Sequence, residues 1–396
     1  MLRLLTRPAL REGVWAAALL AATLAMVLAP SQAMEGARTG LALCGNVIIP
    51  SLFPFLILSS LVVELGMAAR LGRALGPVMR PLFRVNGACA SAVALGFIGG
   101  YPVGARTAIS LYQKGLCSRT EAQRLLAFCN NSGPAFILGV VGAGVFADSR
   151  VGLLLYLVHA LASVCVGLLF RFYGREREGS GKAPPSPIGA VRFSSALTGS
   201  VASALQSTLG ICSFVVFFSV VISLLTRFGI LTALADCLAA LLSPLGMTRE
   251  WAGRLLTGVL EVSSGVWSLS GAGAVNGSIS MAAFLLGWAG ISVHCQVLSF
   301  LTDSGLSMNT YLIGKLLHAL FSAALTALVL RLFPLSQPVS AYLSDTADTL
   351  AGLDFTTVLT VSGLTAAATW LIFLLLGAVL VQKSSGKRRK KVVYWR

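Results

Sequence analysis

The chain has little charge and lacks the residue patterns of soluble catalytic sites. Only 11% of its 396 residues are charged, whereas a soluble protein carries about a quarter. Its three histidines, at positions 159, 294 and 318, form no HExxH motif or cysteine–histidine cluster, and its eight cysteines form no CxxC pair. These absences exclude an ordinary soluble domain. They also predict no structural or catalytic metal and no disulfide framework.

Motifs of the commonest catalytic centres are missing as well. The sequence has no GxSxG nucleophile elbow, no rhomboid-like GxSG, no presenilin-like GxGD and no GxxxxGK[ST] phosphate-binding loop. We therefore expect no enzymatic activity, no nucleotide hydrolysis and no cofactor.

What the chain has instead is apolar sequence in long runs, with 56% hydrophobic residues. Runs of this length fit membrane-spanning helices, whereas an outer-membrane barrel would show alternating segments of about ten residues. We predict an all-α polytopic membrane protein with about eight transmembrane helices. The predicted spans are 14–30, 41–66, 129–147, 151–172, 208–226, 279–301, 311–333 and 355–382.

Two further apolar segments are too interrupted to be straight helices. Segment 88–112 contains GFIGGYPVGAR, and segment 254–272 contains GVLEVSSG. Each is too short for two full crossings, which need about 40 residues. We predict two re-entrant helical hairpins, with tips at 99–104 and 263–265.

The positions of charged residues predict the topology. Arginines lie in 1–13 and 67–87, the linker 173–192 is basic, and 383–396 carries seven positive charges and no acid. Loop 334–354 has three aspartates and no basic residue. The excess of positive charge on cytoplasmic loops predicts that both termini are cytoplasmic and that 334–354 is outside.

Both ends of the chain allow a second interpretation. The first apolar run fits a retained signal-anchor helix, but residues 31–33 (SQA) also resemble a cleavage site of a signal peptide. The basic tail fits contact with anionic lipid, and a nucleic-acid contact is the alternative. We expect the lipid contact and no nucleic-acid partner.

The two halves of the chain resemble each other. Segment 61–82 is similar to segment 223–245, with Gly66 and Gly229, and likewise Pro81 and Pro244, 163 residues apart. The first half starts outside and the second inside, so we predict an inverted-topology repeat, as in transporters. The predicted divisions are an N-terminal helix (1–35), a first repeat (36–172), a linker (173–192), a second repeat (193–333), an outer loop (334–354) and a last span with the tail (355–396).

Several long motifs make a family resemblance visible. PSLFPFLILSSLV and the block at 96–146, which begins GFIGGYPVGARTAISLYQKG, resemble the sporulation integral membrane proteins of the YlbJ type, in the group with Gate or nucleoside recognition domains. The resemblance covers roughly residues 36–333. It implies membrane transport linked to endospore formation, in the mother-cell or outer forespore membrane, with dipicolinate as the implied solute.

Polar residues near the breaks are the candidate site. Glycines and Arg106 at the first tip suit an anion, because broken helices expose backbone N–H groups. Asn130 and Asn131 are two adjacent asparagines, whereas a helix cap needs only one, so we expect them to bind the solute. The carboxylate of Glu261 suits a coupling proton or cation. The alternatives are a snorkelling Arg106, an ordinary cap, and pairing of Glu261 with Lys315 or Arg106. The predicted binding residues are Gly99, Gly100, Tyr101, Arg106, Asn130, Asn131, Ser132, Glu261, Ser263, Ser264, His294 and Gln296.

These features together predict a transporter for a small anionic solute, with Lys315 and Arg106 offering compensating charge. A nucleoside-type transporter and a non-transporting scaffold of spore-envelope assembly are the alternatives. The expected partners are the lipid bilayer, the solute, and either a second copy of the chain or other sporulation membrane proteins.

Overall fold

A computed structural model of the protein describes residues 8–65, 67–174, 193–272, 275–302 and 304–333, together with positions 360 and 364. The predicted outer loop, last span and basic tail, and most of the linker, lie outside these residues.

The described residues form helices connected by short turns, and they contain no strand. The α-helices are α1 (Pro8–Leu28), α2 (Pro30–Leu43), α3 (Ile49–Glu64), α4 (Met67–Phe83), α5 (Ala90–Gly99), α6 (Val103–Gln113), α7 (Arg119–Phe128), α8 (Ser149–Phe170), α9 (Phe193–Arg227), α10 (Ile230–Leu242), α11 (Arg249–Leu260), α12 (Val262–Trp267), α13 (Val275–Trp288), α14 (Gly290–Leu301) and α15 (Met308–Leu332). A π-helical segment, Cys44–Ile48, joins α2 to α3, and a second, Ala135–Val145, precedes α8.

The all-α polytopic fold class is confirmed, but the number of eight spans is not. Four described stretches are long and apolar enough to cross a membrane: Ser149–Phe170, Phe193–Arg227, Asn276–Leu301 and Met308–Leu332. Two bent pairs raise the number to six: Glu12–Leu28 with Pro30–Asn46, and Leu75–Phe83 with Gly87–Gly99. The second pair contains the amphipathic helix α4 and half of a hairpin, which explains its right-angled bend.

Helices α5 and α6 form a hairpin within the predicted segment 88–112. The chain reverses after Gly100, whose φ of 75° lies in the left-handed region that glycine tolerates. Gly96 and Gly104 face each other across the hairpin, and a side-chain carbon on either would collide with the Cys129 carbonyl. Glycine at these two positions therefore lets the half-helices pack backbone to backbone.

Helices α11 and α12 form the second hairpin, within the predicted segment 254–272. Its tip is Glu261, whose backbone is extended (φ −142°, ψ 116°). The prediction of the tip at 263–265 was wrong by two residues, because the Glu261 side chain caps α12 and places those residues in its first turn. Gly258 and Gly265 bring the two half-helices together, as in the first hairpin.

The two hairpins enter the molecule from opposite ends. Helix α8 runs between these ends, and its C-terminal residues Val166 and Phe170 share a hydrophobic cluster with α4, α5, α6 and α7. Its N-terminal residues Val151 and Leu155 share a second cluster with α12 and α13. Because each hairpin packs on a different end of α8, their tips point toward each other, as inverted repeats require.

Each hairpin tip lies against a break in the helical chain that follows it. Gly133 lies between α7 and the π-helical segment before α8, and a side-chain carbon on it would lie 3.1 Å from the Gly100 nitrogen. Gly290 (φ 81°) begins α14 directly after the break at Ala289, and the same carbon there would lie 2.9 Å from the Val262 nitrogen. The predicted span 279–301 is therefore not one straight helix.

The end of the molecule at which the first hairpin enters is the more basic of the two. There Arg119 donates to the Gly305 carbonyl (2.8 Å), and buried Arg124 donates to the carbonyls of Tyr173 and Gly174 (both 2.9 Å). Toward the opposite end three arginines pair with acids, in the pairs Arg150–Asp148, Arg249–Asp236 and Arg254–Glu250. We call the end at which the first hairpin enters the basic end.

Candidate functional site

A small inner cavity of about 50 Å³ lies where the two hairpin tips meet. Since a buried water needs about 10–15 Å³ by this measure, the cavity has room for about four waters. Both tips and both helix breaks contribute to it. Its polar or backbone lining comes from Gly100, Tyr101, Ser132, Gly133, Glu261, Ser263, Ser292 and Gln296, and its apolar lining includes Ile48, Phe136, Ile211 and Val215.

A larger, half-open vestibule of about 510 Å³ lies between the inner cavity and the basic end. Arg106 and Ser299 line it, together with polar side chains of α9. Gln296 and Ile211 line both the vestibule and the inner cavity, so these two side chains form the partition between them. Arg106 donates a hydrogen bond to Ser203 of α9.

Glu261 places a carboxylate in the wall of the inner cavity. The residue is only 1% exposed, and its two oxygens accept hydrogen bonds from the Ser263 and Ser264 backbone N–H groups (3.1 and 2.7 Å). The ion pairs of the described residues do not include Glu261. Two backbone donors at the start of α12 thus bind both oxygens of the carboxyl group, and no ion pair with Lys315 or Arg106 is formed.

Lys315 places an amine behind the opposite wall. The side chain is 1% exposed, and its Nζ donates to the Asn130 carbonyl (3.0 Å). The same nitrogen lies 5.9 Å from the centre of the ring of Tyr101, a residue that lines the inner cavity. No carboxylate among the described residues pairs with it. Burying the charged form of an amine without an anionic partner is energetically costly.

The break between α7 and α8 is stabilised by unusual polar contacts. Asn130 Nδ2 donates to the Tyr311 hydroxyl (3.2 Å), which also contacts His294 Nδ1 (3.1 Å). The Ser132 N–H donates to His159 Nε2 (3.0 Å). Both side-chain amide atoms of Asn131 are buried without a hydrogen-bond partner. The Asn131 amide is thus available to a polar group that the described residues do not supply.

Two histidines meet behind this break. His159 and His318 each lie ten residues after the first residue of their helix, α8 and α15, and their ring centres are 4.2 Å apart. His318 Nε2 contacts the His159 carbonyl (3.0 Å). The two halves of the molecule therefore meet at residues that hold the same position in α8 and α15.

The sequence-predicted site residues fall into three groups. Those that line the inner cavity are Gly100, Tyr101, Ser132, Glu261, Ser263 and Gln296. Those that lie directly behind it are Gly99, Asn130, Asn131, Ser264 and His294. Arg106 lines the vestibule instead. The sequence-based list omits two residues, Ser292 in the cavity wall and Tyr311 behind it, because one serine or tyrosine in an apolar helix resembles ordinary core sequence.

Ser292 follows the second helix break, as Ser132 follows the asparagine pair in the first half, and this parallel is the signal that could have identified it. Within the described residues, no group of three histidine, cysteine or acidic side chains is placed to hold a metal ion.

Comparisons with known proteins identify the family. Residues 47–177 match the model of the Gate family, described as nucleoside recognition. The chain is 31% identical over 331 residues to the sporulation integral membrane protein YlbJ of Bacillus subtilis (strain 168), which covers 78% of this chain and 80% of YlbJ. No solved structure matches the chain. The resemblance seen in the sequence is thereby confirmed, and the chain belongs to the YlbJ family of sporulation integral membrane proteins.

Proposed function

We propose that the protein is a transporter that moves a small anionic solute through the space between its hairpin tips. The observation that carries this proposal is the inner cavity, which two opposed tips enclose and a partition of two side chains separates from an open vestibule. Binding sites between broken helices at the membrane midplane are typical of transporters. A scaffold has no need of a cavity at this depth with a buried carboxyl group in its wall.

The charge of Lys315 favours an anion as the solute. Its amine lies behind the Tyr101 ring, and its one hydrogen-bond acceptor among the described residues is a carbonyl. A carboxylate in the inner cavity would gain a charge interaction across a thin aromatic wall in a medium of low dielectric constant. The unpartnered Asn131 amide and the Tyr101 and Ser132 hydroxyls add oriented donors nearby.

The charge distribution favours one orientation in the membrane. At the basic end, Arg119 and Arg124 donate to backbone carbonyls. We propose that this end is cytoplasmic, because cytoplasmic loops carry an excess of Arg and Lys. The vestibule then opens toward the cytoplasm in the conformation described.

Uptake into proteoliposomes tests the proposed function. We expect the purified protein to transport at least one anion of a panel that contains dipicolinate, a straight-chain dicarboxylate such as succinate, and uridine as the neutral nucleoside. Dipicolinate is the proposed solute. Uptake of uridine but of neither anion would favour the nucleoside-type alternative, and uptake of none of the three would favour the scaffold.

Three substitutions locate the transport path. We expect Asn131→Ala, Arg106→Ala and Glu261→Gln each to lower initial uptake about tenfold or more, since each removes a charge or a polar contact of the path. Yield and elution on size exclusion should remain those of the wild type. The matched controls are Asn309→Ala, Arg331→Ala and Glu64→Gln, all at exposed positions. If all three path variants transport at the wild-type rate, the path lies elsewhere.

A further inference from the structure

Two arginines at the basic end lie beside one aromatic ring, away from the inner cavity and the vestibule. The guanidinium carbons of Arg84 and Arg171 lie 5.1 and 5.3 Å from the centre of the Phe172 ring. Arg84 follows the end of α4, and Arg171 follows the end of α8. The ring thus brings together two positive charges from different helices, and we call Arg84 and Arg171 the arginine pair.

A third arginine fixes the backbone on which the arginine pair is carried. The buried side chain of Arg124 donates to the Arg84 carbonyl, and it also donates to the carbonyls of Tyr173 and Gly174. Hydrogen bonds from a charged donor are stronger than those between neutral groups. They join the segment after α4 to the segment after α8, so the position of the arginine pair is set by buried contacts.

No carboxylate among the described residues forms an ion pair with either arginine of the pair. The acid on the neighbouring helix α7, Glu121, accepts instead from the backbone N–H groups of Asn86 and Ser118. The Nε atom of Arg171 is buried without a hydrogen-bond partner. Because the two like charges repel each other, an anion that accepts hydrogen bonds from both is favoured here.

An exposed apolar stripe on α8 leads to the arginine pair. It consists of Leu153, Leu157, Leu161 and Leu169, which are about half exposed, and it continues into the exposed Phe172 ring. The leucines are four or eight residues apart, so they lie on one face of the helix. We call these four residues the leucine stripe.

The length of α8 places the arginine pair at the membrane surface. Its 22 residues extend over about 33 Å, slightly more than the hydrocarbon core of about 30 Å. Tyr173, which is exposed directly after Phe172, fits the belt of aromatic residues at the membrane–water interface. The leucine stripe then faces acyl chains, and the arginine pair lies at the depth of the lipid phosphates.

We propose that the arginine pair binds the headgroup of an anionic phospholipid whose acyl chains lie along the leucine stripe. The phosphate oxygens accept from both guanidinium groups. A zwitterionic headgroup is disfavoured, because its ammonium group would be repelled by the two arginines. The bound lipid joins the ends of α4 and α8. This site is separate from the transport path, so the inference does not depend on the proposed function.

Native mass spectrometry of the full-length protein in detergent tests the site. The probes are phosphatidylglycerol and phosphatidylcholine with identical acyl chains. We expect the Kd of the first bound phosphatidylglycerol to be about tenfold lower than that of phosphatidylcholine. Glycerol 3-phosphate, which has the phosphate but no acyl chains, should bind far more weakly. Equal Kd values for the two lipids, within about twofold, would overturn the proposal, and so would glycerol 3-phosphate binding as tight as that of phosphatidylglycerol.

Removing both charges should remove the preference for the anionic lipid. Arg84→Gln combined with Arg171→Gln should raise the Kd of phosphatidylglycerol about tenfold and leave that of phosphatidylcholine unchanged. The matched control is Arg227→Gln combined with Arg331→Gln, which removes the same charge from exposed arginines in the last turns of α9 and α15. If both double variants lose the preference equally, it reflects overall positive charge and the proposed site does not exist.

Phe172→Leu keeps both charges and removes the ring beside them. It should raise the Kd of phosphatidylglycerol about threefold, because the guanidinium groups lose their cation–π contact. This variant decides the question if the double arginine variant does not fold, since wild-type affinity in Phe172→Leu would contradict the proposed geometry. A lipid-free dimer that Leu157→Gln abolishes would show that a second copy of the chain covers the leucine stripe, and the lipid assignment would then be wrong.

Discussion

At the scale of single residues, Lys315 is the position at which the proposed function and stability favour different side chains. Its ammonium is buried with one backbone acceptor, an arrangement that a protein selected only for stability would avoid. The position seven residues after the start of α8, which corresponds to Lys315 in α15, is occupied by Tyr156. The charge is thus a feature of the second half alone and not a requirement of the shared fold.

We expect Lys315→Met to raise stability and to abolish anion transport. Methionine has a similar length and brings no charge, so the free energy of unfolding should increase by about 1 kcal/mol or more. Melting in detergent, followed by size exclusion, and uptake of dipicolinate measure the two effects. Lys114→Met, which breaks an exposed ion pair, should change stability by less than about 0.5 kcal/mol. A Lys315→Met variant that melts lower and still transports would mean that the lysine is structural.

At the scale of helices, the breaks decide where the hairpin tips are held. The second break has two consecutive residues in the left-handed region, Ala289 (φ 76°) and Gly290 (φ 81°). Glycine adopts this conformation freely, whereas an alanine is strained by about 1 kcal/mol. The turn that contacts the second tip therefore contains a strained alanine at a position where glycine would be more stable.

Substitutions at these two positions should have opposite effects. Ala289→Gly should raise the melting temperature by relieving strain. Gly290→Ala should lower it, because the new carbon adds strain and lies 2.9 Å from the Val262 nitrogen. Gly199→Ala in α9 is the control, since its side chain would meet open space and alanine favours a helix. Equal melting temperatures for Ala289→Gly and Gly290→Ala would contradict this account of the break.

The sequence was sufficient to predict both hairpins but not their contacts. Clustered glycines and a proline in an apolar segment indicate a reversal, since such residues do not sustain a straight helix. The exact second tip depends on the Glu261 side chain, which caps α12, and a capping contact of this kind is not evident in a glutamate surrounded by apolar residues. The break at Ala289 was missed because alanine seldom adopts a left-handed conformation.

For the candidate site as well, the sequence predicted some residues correctly and missed others. Arg106, a charge beside a helix break, was expected at the binding site, but it follows the tip by one helical turn and lies in the vestibule. Ser292 and Tyr311 were not expected there, because their roles depend on which helices pack together. Pairing of residues far apart in the chain is a tertiary property that local sequence patterns do not contain.

At the scale of the whole molecule, the orientation in the membrane can be tested by labelling. On a background without the eight native cysteines, we expect a cysteine at position 150 to react from outside with an impermeant maleimide. A cysteine at position 114, at the basic end, should react only after the membrane is made permeable. Labelling of position 114 in intact cells would reverse the proposed orientation, and with it the direction in which the vestibule opens.

The difference in size between vestibule and inner cavity has a consequence for the transport rate. A planar ring with two carboxylates displaces more water than the roughly four molecules that the inner cavity admits. Under the proposed function, the solute would bind in the vestibule first and enter the inner cavity only when the hairpin tips move away from the helix breaks at Gly133 and Gly290. Such a carrier works by slow, thermally activated cycles rather than by free diffusion, so its turnover should saturate with solute and rise steeply with temperature.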